Sequence, residues 1–225
     1  MSTTVENRTV RSGNTLLAAR IYPNPGAESI IFLHGGPGVP DEITEVREIL
    51  SPVLQVITFD QRGTGPGDHS RCTYSMTDYL SDINQIAAQF GLSSFHLFGH
   101  SWGGLYARLY VQAYPERILS LFLCSPASGC GREIWNLTER EVFKYNRNRS
   151  SNQEWIKMGL NSLLGMLGSS RACRRLFRQV IINYHKGFGV PAPEEEKLAK
   201  INAAAVNKTR KFIVRHAPLK TFGKT

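Results

Sequence analysis

Gly99-His100-Ser101-Trp102-Gly103 sets a serine midway between two glycines, directly after the apolar run Phe95-His96-Leu97-Phe98 and ahead of a helix-like pattern. A serine at a turn of this kind is held in a strained conformation, and the flanking glycines let strand and helix backbones approach closely. The side chain is thereby lifted above the sheet as a nucleophile. Acyl transfer on such a serine needs three further parts: a base to take its proton, an acid to orient the base, and donors for the developing oxyanion. The N–H of Trp102 is the first donor. A second is expected from the glycine-rich turn His34-Gly35-Gly36-Pro37-Gly38, from Gly35 or Gly36, and each such donor is typically worth ~3 kcal/mol of barrier.

Three apolar runs end in turns in the same manner. Ser29-Ile30-Ile31-Phe32-Leu33 enters the turn at 34–38, Val56-Ile57-Thr58-Phe59 enters Asp60-Gln61-Arg62-Gly63, and Phe95 to Phe98 enters the serine turn. On these motifs the sequence resembles the α/β-hydrolase family and, within it, the proline iminopeptidase branch of serine peptidases. The resemblance covers residues 7–128 well and the remainder loosely. It implies a mostly parallel sheet flanked by helices, with a helical cap inserted after the sixth strand. It also implies an aminopeptidase that releases N-terminal proline or a similar residue, with cap carboxylates receiving the substrate's ammonium. Glu133, Glu139, Glu141, Glu154 and Glu194, Glu195 and Glu196 are available for that, and no motif selects among them. An esterase or lactonase on the same scaffold, and a non-catalytic remnant, are the alternatives.

The elements that position the site follow from the pattern of apolar residues. Residues 7–22 form two strands about a turn containing Gly13, 29–33 and 54–59 are strands buried on both faces, and 41–50 suit a helix with Asp41 as its cap. Met76, Tyr79, Leu80, Ile83, Ile86, Ala87 and Phe90 recur at helical spacing up to Gly91. A helix over 102–114 and a strand over 118–124 complete an alternation that demands parallel strands with helices on both faces. From Glu133 to about Lys220 the pattern is helical, broken at 187–193, with a helix start expected at Pro193. The domain reading is a core over 1–128, a cap over 129–220, and the start of a further core segment at 221–225.

The base and acid are not supplied. In this fold they follow the serine in the order acid, then histidine, on loops after later strands. Downstream of Ser101 the histidines are His185 and His216, both in helix-like sequence, and no acid lies on the loop 125–132. The chain therefore reads as a hydrolase cut before the strand that would carry its acid, its strand 118–124 left as an edge. Of the remaining candidates, His34 reads as a structural residue of its turn, His100 as pointing away from the oxyanion side, His69 as a surface residue, and Asp60 as bonded within its own turn with Arg62 as ion partner. The Trp102 indole either lines the pocket or fills space beneath the cap.

Composition narrows the partners. The net charge of +9 divides into −3 over residues 1–129 and +12 over 130–225, yet the basic residues are spread along helix-like segments without interleaved aromatics, which argues for solvated faces over nucleic acid. No stretch approaches a membrane span and the first residues carry no signal-peptide pattern, so a cytoplasmic protein is expected. Cys72, Cys124, Cys130 and Cys173 have neither metal-like spacing nor the density of a disulfide framework. The expected partner is a small peptide, amide or ester substrate, with no metal or other cofactor, nucleic acid or membrane; no oligomeric state is implied.

Overall fold

The computed structural model describes residues 5–39, 44–65, 69–128, 132–188 and 201–216. Two compact units divide the chain at Ala127/Ser128. The first holds β1 (Glu6–Ser12), β2 (Thr15–Tyr22), β3 (Ser29–Leu33), α1 (Thr44–Leu50), β4 (Gln55–Phe59), α2 (Met76–Gln89), β5 (Phe95–His100), α3 (Trp102–Ala113) and β6 (Ile118–Cys124). The strands form one sheet in the order β1-β2-β4-β3-β5-β6. Its first two pairings, β1 with β2 and β2 with β4, are antiparallel, and β4, β3, β5 and β6 run parallel.

Every residue of β3 is buried, as a central parallel strand requires. Alternation along the strand then sends its side chains to opposite faces. Ile30 and Phe32 join Tyr22, Val56 and Phe98 in a cluster packed by Val46 and Leu50 of α1 and by Cys124. Phe32, Phe98 and Phe122 stack across β3, β5 and β6, with ring centroids 4.7 and 5.5 Å apart. The row ends in the open: among the described residues no strand pairs with the outer edge of β6, and Phe122 is 61% exposed. Helix α3 lies against β3, β5 and β6, and α2 against β1 and α3.

Local chemistry sets the helix limits. Ser75 accepts from Asp78 N–H while Asp78 receives the Ser75 N–H, a reciprocal cap that begins α2. The cap expected from Asp41 lies outside the described residues.

The second unit is helical: α4 (Arg132–Arg149), α5 (Asn152–Met166), α6 (Ser170–Phe188) and α7 (Ala203–His216). Ser151 and Glu154 cap α5 in the same reciprocal way. The buried Asn183 side chain donates to Asn146 Oδ1 at 2.9 Å and Ser150 Oγ at 3.0 Å, pinning α6 to α4. The break expected from 187 begins later than the glycine suggested, because Gly187 and Phe188 complete α6. The helix start expected at Pro193 and the segment 221–225 lie outside the described residues.

Candidate active site

Ser101 sits between β5 and α3 with φ 51° and ψ −116°, a left-handed backbone that non-glycine residues rarely adopt. Its peptide groups hold it there. The Ser101 N–H donates to Cys124 O at 3.0 Å, and the Ser101 carbonyl accepts from Gly104, Leu105 and Ala127 at 3.0, 3.3 and 2.8 Å. The flanking glycines answer a shortage of space. A Cβ on Gly99 would lie 2.5 Å from Gly103 O, and one on Gly103 would overlap Leu33 O. Trp102 is the first residue of α3, so its N–H is among the four that a helix leaves without an internal partner.

The turn after β3 comes to the same place. A Cβ on Gly35 would stand 2.9 Å from His100 Nδ1 and 3.3 Å from Ser101 Cβ, so the Gly35 backbone lies beside the serine. Gly36 has φ 72° and faces Val39. The structure thus brings Gly35, His100, Ser101 and Trp102 together at the ends of β3 and β5.

A chain of hydrogen bonds joins the three turns. The Trp102 indole N–H donates to Gln61 Oε1 at 2.8 Å, Gln61 Nε2 donates to His34 O at 2.9 Å, and the Gln61 N–H donates to His34 Nε2 at 3.3 Å. Because Nε2 accepts, the proton is on Nδ1, which donates to Gly35 O at 3.0 Å. Both ring nitrogens of the buried His34 are thereby occupied, as its reading as a structural residue requires. Gln61 is fully buried; the sequence marks it only as a member of the Asp60–Gly63 turn, with nothing to show that its side chain joins the other two turns. The Trp102 indole is buried, edge-on to Tyr79 and stacked on Tyr106, and fills the interior of the first unit.

Two expectations are corrected. Asp60 pairs with Arg20 at 2.7 Å, across β2 and β4, and not with Arg62. Arg62 instead grips Asp82 of α2 with Nε and Nη2 at 2.8 and 2.6 Å and donates to the carbonyls of Thr73 and Asp78. Burial pushes the Asp82 carboxyl up to about 6 against the opposing pull of Arg62. His69 is half-buried with Nε2 2.8 Å from Gly65 O, a loop tie in place of the expected surface residue.

His100 is held below the usual imidazole range by burial and by neighbouring His34. Among the described residues no hydrogen bond joins an imidazole to Ser101. His185 and His216 are carried by α6 and α7. The Glu139 carboxylate accepts from Trp135 and Arg210, and the Glu154 carboxylate from the Ser151 N–H; Glu133 and Glu141 are exposed on α4, and residues 194–196 lie outside the described set. Among the described residues no group of three or more His, Cys, Asp or Glu side chains is placed to hold a metal, and no helix is long and apolar enough to cross a membrane.

A mostly parallel sheet with a serine at a left-handed strand-to-helix turn, faced by a glycine turn from the neighbouring strand, defines a hydrolase-type scaffold. The profile of the alpha/beta hydrolase fold family matches residues 28–167, and the chain belongs to that family. It is 33% identical over 145 residues to a proline iminopeptidase of Neisseria gonorrhoeae, covering 56% of this chain and 46% of the relative. A proline iminopeptidase of Lactobacillus delbrueckii subsp. bulgaricus is 32% identical over 123 residues, covering 52% of this chain and 41% of the relative. The chain thus spans under half the length of these curated relatives. Among solved structures, the proline iminopeptidase of Mycobacterium smegmatis superposes with a TM-score of 0.57 at 18% identity, covering 92% of this chain and 69% of that one. VinJ superposes with 0.63 at 16% identity over 92% and 69%. At these identities the structural likeness establishes the fold alone.

Proposed function

We propose that this chain carries the nucleophile and oxyanion donors of a serine aminopeptidase that releases N-terminal proline or a similar residue through an acyl-enzyme on Ser101. The observation that carries the reading is the left-handed backbone of Ser101 with Gly35 beside it, and the relatives' name supplies the substrate class. In the proposed reaction Ser101 Oγ attacks the carbonyl carbon of the N-terminal residue and loses its proton to a base. The oxyanion accepts from the N–H of Trp102 and from that of Gly35 or Gly36. The leaving amine departs with the proton, and water then hydrolyses the ester. The base and its orienting acid are assigned to the part of such a protein that this sequence does not span.

The test is reaction with a fluorophosphonate followed by peptide mapping, together with prolyl-amide turnover by the longest form of the protein. An adduct on Ser101, and loss of about 10⁴-fold or more of the turnover in Ser101→Ala, are expected. Cleavage of short esters with no prolyl-amide turnover would replace the peptidase by an esterase or lactonase. A Ser101 that never reacts would overturn the reading.

A further inference from the structure

Away from Ser101, at the opposite end of β5, a serine, a histidine and a carboxylate meet. His96 Nδ1 is 2.8 Å from Ser120 Oγ, and His96 Nε2 is 3.0 Å from Glu28 Oε2. The carboxylate can only accept, so Nε2 carries the ring proton and Nδ1 accepts the Ser120 hydroxyl. The three residues come from β6, β5 and the residue before β3. His96 and Ser101 lie five residues apart along one strand, roughly 16 Å at strand rise, so this cluster is separate from the site above.

The backbone places Ser120 there by an irregularity. Phe95 pairs with Ile118 but Leu97 pairs with Leu121, so Leu119 and Ser120 together oppose the single residue His96. Such a bulge re-aims a side chain and interrupts pairing. Ser120 is exposed on the outermost strand of the described sheet, next to Leu119, which is 47% exposed. The His96 side chain is 18% exposed, shielded enough to be fixed, whereas Glu28 is 67% exposed.

We propose that Ser120 is an accessory nucleophile, activated by His96 and oriented through Glu28, that accepts acyl or phosphonyl groups from small activated esters. Ser120 Oγ forms a bond to the acyl carbon while its proton passes to His96 Nδ1. The bond to the leaving alcohol breaks, and that alcohol takes the proton from His96. Water then attacks the acyl-serine, delivering its proton through His96 back to Ser120 Oγ, which leaves the free acid and the original serine.

The experiment uses the Ser101→Ala protein, so the outcome is independent of the role assigned to Ser101. An ethoxy fluorophosphonate should leave an adduct that maps to Ser120 and is lost in Ser101→Ala/Ser120→Ala. Adding His96→Gln should slow that labelling about 100-fold or more, the usual worth of a general base. Adding Glu28→Gln, an exposed change that leaves the strands intact, should slow it about fivefold. p-Nitrophenyl acetate should acetylate the same residue. No adduct on Ser120, or equal labelling rates with and without both His96 and Glu28, would overturn the proposal.

Discussion

The indole N–H of Trp102 and the side-chain oxygen of Gln61 are 2.8 Å apart, and this bond links the first residue of α3 to the turn after β4. The same Gln61 side chain reaches His34 O. One amide therefore satisfies a buried donor and a buried acceptor on two different turns.

Gln61→Ala should accordingly cost about 2–4 kcal/mol, because it strands a buried donor and a buried acceptor at once. Urea denaturation of the variant and the parent measures this directly. A loss below about 1 kcal/mol would show that the turns hold one another by other means.

Gly103→Ala and Gly35→Ala should behave differently. The first drives a methyl into the Leu33 carbonyl, which belongs to the sheet and has nowhere to go; a loss of about 3 kcal/mol or more, or failure to fold, is expected. The second meets the end of the His100 side chain, which can give way, so the protein should fold while Ser101 labelling by a fluorophosphonate falls.

Ser101→Gly should raise stability by about 1 kcal/mol, since glycine adopts the left-handed backbone without strain. Thermal melts should show the gain together with complete loss of Ser101 labelling. An unchanged or lowered Tm would contradict the idea that the turn stores strain.

Two carboxylates of α2 should titrate in opposite senses. Asp82 is raised by burial to about 6 from its ordinary 3.8, so its contribution to stability is present below that unfolded value and is lost as pH rises through about 6. Asp78 is lowered from 3.8: burial opposes the shift, but the Ser75 hydrogen bond and the other partners outweigh it. Its contribution is present above 3.8 and is lost as pH falls through the lower folded value. Carboxyl NMR should give an Asp82 midpoint near 6. The stability gap between parent and Asp78→Asn, about 1 kcal/mol at neutral pH, should begin to narrow as pH falls below 3.8 and vanish once pH lies below the lower folded value.

β3 was legible because burial on two faces leaves an unbroken apolar run, and β6 falls on the residues its run indicated although Leu119 and Phe122 stand exposed on it. The serine turn was legible because its glycines answer local steric needs. What escaped is non-local. Asp60 finds Arg20 because Arg20 pairs with Thr58 across the sheet, a register that spacing along the chain does not encode. Gln61 gained its role from three turns meeting, and the Ser120, His96 and Glu28 cluster joins residues as far as 92 positions apart and depends on a bulge. The Ser75 cap was legible in principle, as a serine three residues before an acid.

The Ala127 N–H, on the last residue of the first unit, donates to the Ser101 carbonyl. The peptide of Ser101 thus anchors the chain as it leaves the sheet. With the Ser101 N–H held by Cys124 O as well, the strained angles of the serine persist only while residues 124–127 keep their place, so this last stretch of the first unit is itself a wall of the serine turn.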